Sequence, residues 1–149
     1  MEEMAYVFGT IFTLSNRLQA LGDRMDERLT VKQWLFLAGV VQCGPGAPTL
    51  SQVAKRIGTS RQNAKKIAAI LERQRFIRIE RDARDARALQ ISLTDACLER
   101  LSQRAEMEKR FLGELFSGFG PGEMSAFAGA LKKLEKNVEE MGRGIEDEV

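Results

Sequence analysis

From Met4 to Met25 the apolar residues recur in alternating steps of three and four, at Met4, Val7, Ile11, Leu14, Leu18, Leu21 and Met25. Sustained over three heptads, that spacing predicts a long amphipathic helix whose narrow seam packs on another helix, of the same chain or of a second. Thr30 is placed to cap a second helix reaching about Gln42 and carrying Trp34, Leu35, Leu37, Ala38 and Val41. The stretch Cys43-Gly44-Pro45-Gly46-Ala47-Pro48 ends it, because proline removes backbone donors and glycine raises backbone entropy. Thr49 caps a short third helix with Leu50, Val53, Ala54 and Ile57 on one face, and Gly58 closes it where a left-handed residue is cheapest for glycine.

Ser60 then caps a fourth helix, Arg61 to about Gln74. Two short helices split by a tight glycine turn, with small Ala54 allowing close approach, form a helix-turn-helix pattern. On a helical wheel Ala64, Ile67, Ala68 and Leu71 turn inward, while Gln62, Lys66 and Arg73 point outward with Asn63 and Lys65 beside them and Arg61 in the first turn. Amide side chains can bond adenine in a bidentate manner, and arginine and lysine can bond guanine or hold phosphates. The same residues also fit an ordinary solvated basic face.

The runs Ile77-Arg78-Ile79-Glu80 and Leu89-Gln90-Ile91-Ser92-Leu93 alternate with period two and predict paired antiparallel strands with one buried face. Their connection, Arg81 to Arg87, contains no glycine and is too long for a two-residue turn, so it should project as a charged wing. An arginine on such a wing suits a narrow minor groove, and nearby aspartates are placed to hold guanidinium groups. Thr94 caps a fifth helix with Leu98, Leu101, Ala105, Leu112 and Leu115 as its main stripe, widened by Met107 and Phe111. Gly118-Phe119-Gly120-Pro121-Gly122 breaks the chain before a sixth helix with another three-four seam: Met124, Phe127, Leu131, Leu134, Val138, Met141 and Ile145. Matching seams at both ends predict that the terminal helices pack together and contribute to a homodimer interface, with a closed monomeric bundle as the alternative.

Charge sharpens the picture. Leu50 to Ile91 holds eleven basic residues and four acidic ones, a net of +7, whereas residues 1–49 carry −1 and 92–149 carry −4. The whole-chain value of +2 hides a positive field confined to one segment, the footprint expected for a polyanion partner. The 149 residues suffice for one domain or two closely packed lobes, and few aromatic, proline and β-branched residues favour helix. No apolar run is long enough to cross a bilayer and Met1-Glu2-Glu3-Met4 does not open a signal peptide, so the expectation is a cytoplasmic protein without a membrane partner. Histidine is absent, and Cys43 and Cys97 sit in dissimilar contexts, so no metal site, cofactor site or catalytic constellation is expected.

Taken in order, two helices, a helix-turn-helix, a charged wing and two long helices resemble the MarR family of transcriptional regulators over nearly the whole chain. The most specific piece is Asp82-x-Arg84-Asp85-x-Arg87 followed by Leu89-x-Ile91-x-Leu93-Thr94, which resembles the family's wing signature. Thr49-Leu50-Ser51-Gln52-Val53-Ala54 with Ser60-Arg61-Gln62-Asn63 resembles its helix-turn-helix. The resemblance implies a mainly α fold with a small β-hairpin wing, and a homodimer with intertwined terminal helices. It also implies Arg87 as the minor-groove arginine, Arg84 as the second candidate and Asp85 as the residue that orients the wing. Two positions depart from the family pattern, Arg75 and Cys97, where many members have glycine; a left-handed Arg75 costs about 1 kcal/mol, or the helix ends differently.

The sequence therefore divides into an N-terminal dimerisation helix (1–29), a winged helix-turn-helix (30–93) and C-terminal dimerisation helices (94–149). The expected function is a dimeric repressor, not an enzyme. It would bind a pseudo-palindromic operator in double-stranded DNA through Ser60, Arg61, Gln62, Asn63, Lys65, Lys66 and Arg73 of the recognition helix and Arg84, Asp85 and Arg87 of the wing. By the resemblance, a small-molecule effector would act in a pocket between the dimerisation helices and the winged domain, with Trp34, Phe36, Met107 and Phe111 as candidate walls. Two alternatives stay open. One is a redox-sensing regulator using Cys43, or Cys97 with its thiol pKa lowered by a helix N-terminus. The other is an interaction module that meets an acidic protein surface.

Overall fold

The computed structural model describes residues 1–83, 85 and 87–147, with side chains as far as Arg143. Its elements are α1 (Glu2–Met25), α2 (Val31–Gln42), α3 (Leu50–Arg56), α4 (Arg61–Arg73), β1 (Ile77–Arg81), β2 (Leu89–Leu93), α5 (Asp95–Leu115) and α6 (Pro121–Asp147). The chain forms two compact units, Met1–Ala105 and Glu106–Val149, and the boundary falls within α5.

Local chemistry sets the boundaries in the first unit. Thr30 and Thr49 each form a reciprocal capping box, with Gln33 and Gln52 respectively returning a side-chain bond to the cap backbone. Gly58 is left-handed (φ 67°), and the bonds Thr59 N–H to Ala54 C=O and Gly58 N–H to Lys55 C=O close α3 in a Schellman turn. Two residues later the Ser60 hydroxyl accepts from the Asn63 N–H and opens α4.

The end of α4 repeats that motif with a residue poorly suited to it. Arg75 has φ 61°, and Arg75 N–H bonds Glu72 C=O while Phe76 N–H bonds Leu71 C=O. Of the two outcomes open from the sequence, the left-handed one is adopted. The Thr94 hydroxyl, 2.6 Å from the Arg75 carbonyl, holds the turn from the far side of the hairpin.

The hairpin is antiparallel, with Ile77 opposite Leu93 and Ile79 opposite Ile91. A short bridge from Thr49 to Gln90 and the bond Ile91 N–H to Pro48 C=O tie β2 to the chain ahead of α3. Fully buried Phe36, Leu37, Val53, Leu71, Ile77 and Ile91 fill the space beneath the helix-turn-helix and wing. That core fixes the angle of α4 against the hairpin.

Two expectations change on α5 and α6. Leu98 is 53 % exposed, and the buried face of α5 in the first unit runs through Cys97, half-buried Leu101 and Arg104 instead of Leu98, Leu101 and Ala105. Arg104 is held on that face by its bonds to the Asp26 carboxylate, just past α1, and to the Leu29 carbonyl. In the second unit α6 begins at Pro121, not after it, because proline is favoured at a first helical position where no N–H is required. The Glu123 carboxylate accepts the Gly120 N–H there.

Candidate nucleic-acid interface

α4 presents a surface sorted by its own periodicity. Ala64, Ala68 and Leu71 are buried, and Ile67 is half-buried against the core. Ser60, Arg61, Gln62, Asn63, Lys65, Lys66 and Arg73 are all exposed. The first turn of α4 contains no acidic residue, so the positive end of the helix dipole adds to the charge of Arg61. Those seven side chains lie on one element and its cap, available to a partner without rearrangement of the core.

The wing is braced by short polar bonds. Asp82 accepts the Asp85 N–H and the Gln90 amide, and Asp85 accepts the Arg87 N–H at 2.9 Å. Asp82 N–H bonds Ala88 C=O, and Ala88 N–H bonds Asp85 C=O. Asp85 thus turns to a backbone donor and Asp82 to one backbone and one side-chain amide, a behaviour common for Asp in tight loops. Asp85 and Arg87 are exposed. Arg84, the other wing candidate, lies outside the described residues.

One contact joins wing to helix: Arg61 Nη2 donates to the Arg87 carbonyl at 3.3 Å. The sequence places Arg61 in the first turn of the recognition helix, facing the groove, but does not reveal this bond, since the partners are 26 residues apart.

The candidate pocket walls fall in both units. Phe36 is fully buried in the core and Trp34 is half-buried against it. Met107 and Phe111 lie in the second unit. Cys43 is exposed at the C-cap of α2. Cys97 is fully buried, and burial pushes its thiol up to about 11, which overturns the expectation that the helix terminus lowers it. Desolvation outweighs a dipole whose first-turn donor already bonds Thr94: the Cys97 N–H goes to the Thr94 hydroxyl.

A second polar group escaped the sequence reading. Asp26, just past α1, accepts from the Arg28 N–H, Arg100 Nη2 and Arg104 Nη1, and Arg104 also donates to the Leu29 carbonyl. Asp26 and Arg104 are 4 % and 2 % exposed. Burial raises the Asp26 pKa, but the Arg28 N–H and the Arg100 and Arg104 guanidiniums outweigh it and hold the carboxyl below its ordinary value. The available signal was Arg104 itself, three residues after Leu101 and seven after Cys97 on an otherwise apolar face.

Residues 29–88 match the model of the MarR family. Similar folds occur among solved structures. A MarR protein from Peptoclostridium difficile is 22 % identical with a TM-score of 0.80, the match covering 91 % of this chain and 88 % of that one. A MarR/EmrR family transcriptional regulator from Acinetobacter sp. ADP1 is 17 % identical with a TM-score of 0.79, covering 91 % and 96 %. BpsR from Bordetella bronchiseptica, whose DNA binding is regulated by 6-hydroxynicotinic acid, is 20 % identical with a TM-score of 0.76, covering 87 % and 98 %.

Proposed function

We propose, from a MarR-family segment at residues 29–88 in a chain with the fold of MarR-family transcriptional regulators, that this protein is a homodimeric, sequence-specific DNA-binding repressor. The observation that carries this reading is the exposed face of α4, which presents Arg61, Gln62, Asn63, Lys65, Lys66 and Arg73 against the single acid Glu72 and is bonded through Arg61 to the wing. In this reading α4 enters the major groove. Gln62 and Asn63 suit adenine edges, Arg61, Lys65, Lys66 and Arg73 suit guanine or phosphates, and Arg84 and Arg87 reach the minor groove with Asp85 fixing the turn.

Residues 30–93 then read DNA, and residues 1–29 and 94–149 supply the dimer interface. Supporting the dimer, Val7 and Leu14 on α1 and Val138 and Met141 on α6 are between 45 % and 69 % exposed in the single chain. Exposed apolar seams of that length are stabilised by burial against a second chain. BpsR provides the analogy for a small molecule that relieves repression by preferring a different spacing of the two recognition helices.

The test is selection of bound duplexes from a random-sequence pool. The proposal expects enrichment of a pseudo-palindrome whose half-sites lie about one helical turn, roughly 10 base pairs, apart. A pool that emerges without enrichment would count against sequence-specific recognition.

A further inference from the structure

A continuous line of hydrogen bonds runs from the hairpin through the wing to α4. Gln90, on β2, donates its side-chain amide to Asp82 Oδ2. Asp82 Oδ1 accepts the Asp85 N–H at 3.1 Å, Asp85 Oδ1 accepts the Arg87 N–H at 2.9 Å, and the Arg87 carbonyl accepts Arg61 Nη2 of α4 at 3.3 Å. We infer that Gln90 is a positioning residue for DNA recognition: acting through Asp82, it sets where the Arg87 side chain stands relative to α4.

Three observations lead there. The first is anchorage. Gln90 is half-buried, pairs with Glu80 across the hairpin and forms a backbone bridge to Thr49, the N-cap of α3. The next residue, Ile91, is fully buried, and its N–H bonds the Pro48 carbonyl. The donor at position 90 is therefore tied to the core and to the helix-turn-helix, whereas Asp85 and Arg87, farther along the line, are exposed.

The second is the chemistry of the first link. An amide that donates to a carboxylate makes a charge-assisted bond, roughly twice as strong as one between neutral groups. The other oxygen of that carboxylate holds the Asp85 N–H, so the orientation imposed by Gln90 passes directly to the wing backbone.

The third is closure. The line begins on β2 and ends on α4, and each side chain along it holds a backbone or side-chain group of the next. A shift at position 90 is thus carried to Arg87 and on to the first turn of α4. In the wing pattern Leu89-x-Ile91 this position is unspecified, so the sequence pattern assigns Gln90 no role.

The consequence for DNA affinity rests on the function proposed above; the ordering of the wing does not.

The test has two arms, both on the full-length chain. Without DNA, hydrogen–deuterium exchange of the Asp85 and Arg87 amides is followed in wild type, Gln90→Leu and Gln90→Lys. Exchange is expected to be at least about threefold faster in Gln90→Leu and near wild type in Gln90→Lys, which retains a donor to Asp82. With the duplex recovered by selection, fluorescence anisotropy compares wild type, Gln90→Leu, Arg87→Ala and the double variant. Gln90→Leu is expected to weaken binding at least about fivefold. The loss caused by Arg87→Ala is expected to be at least about twofold smaller once Gln90 is replaced, a coupling that a purely structural role would not produce. Exchange unchanged in Gln90→Leu, exchange as fast in Gln90→Lys as in Gln90→Leu, or strictly additive losses on DNA would overturn the assignment. If wild type binds no duplex, the proposed function fails, and the exchange arm still decides whether Gln90 positions the wing.

Discussion

Replacing Asp26 by Asn removes one negative charge and almost no volume from the most buried polar group of the first unit. Asp26 Oδ1 accepts from the Arg28 N–H at 2.9 Å and Arg100 Nη2 at 2.6 Å, and Oδ2 accepts from Arg104 Nη1 at 3.1 Å. In Asp26→Asn one of those oxygens becomes an NH₂ facing a guanidinium, and Arg100 and Arg104 lose the carboxylate they share. Breaking a buried ion pair by removing one partner costs about 3–5 kcal/mol. Arg100, with its side chain 24 % exposed, recovers part of its solvation, whereas Arg104 at 2 % does not, which favours the lower end, about 3 kcal/mol. For a chain of this length that corresponds to a fall in Tm of about 6–12 °C.

The assay is urea unfolding followed by fluorescence of Trp34, the single tryptophan, at fixed protein concentration so that any association is held constant. The pH dependence has a definite sign. The Asp26 carboxyl lies below its ordinary 3.8 in the folded chain, so the unfolded chain takes up the proton first as pH falls. The stability contributed by ionised Asp26 is therefore complete above about pH 4 and lost as pH drops through the folded-state value. The gap between wild type and Asp26→Asn should be widest near neutrality and shrink below pH 4. A difference under about 1 kcal/mol at pH 7, or one that does not narrow in acid, would refute the reasoning.

Three further outcomes are expected. In Gly39→Ala the new Cβ would lie 2.5 Å from Ile57 Cγ2, a methyl on a branched β-carbon that cannot swing aside. Overpacking of about 1–3 kcal/mol outweighs a helix-propensity gain of about 1 kcal/mol, so the urea midpoint should fall; a rise would contradict the close packing of α2 on α3. A disulfide reagent at pH 8 should modify Cys43 rapidly and Cys97 only at the rate of unfolding, because the latter is buried with its thiol near 11; comparable rates would contradict that burial. On DNA, Arg61→Ala should weaken binding by about 1 kcal/mol or more, because it removes both a groove-facing cation and the bond to the Arg87 backbone carbonyl, whereas binding as tight as wild type would mean that the helix-to-wing bond contributes nothing.

What could be read from the sequence follows from how far apart the determining residues lie. The caps at Thr30, Thr49 and Ser60, the glycine turn and the inward face of α4 depend on neighbours within a few positions, and they form where the pattern places them. The antiparallel pairing of the two alternating runs was legible in the same way. By contrast, Arg75 was ambiguous because the group that holds its left-handed turn, Thr94, is 19 residues away. The buried face of α5 was misjudged because Arg104 is drawn inward by Asp26, 78 residues earlier, a pairing that no local periodicity encodes. Cys97 shows the same division: its place in the first turn of a helix was legible, while the burial that governs its thiol belongs to the packed core. On the DNA-facing side, residue type and helical phase identified which side chains are exposed, but the bond from Arg61 to the wing required the two elements to be brought together.

The most direct test of the central claim is a fluorescence-anisotropy titration of the selected duplex and a scrambled one, across a salt series, with wild type and Arg87→Ala. The account predicts that wild type favours the selected duplex by at least about 10³-fold and that its affinity falls steeply on a log–log salt plot, with Arg87→Ala binding more weakly. Equal, weak binding to both duplexes, insensitive to salt and unchanged by Arg87→Ala, would contradict it.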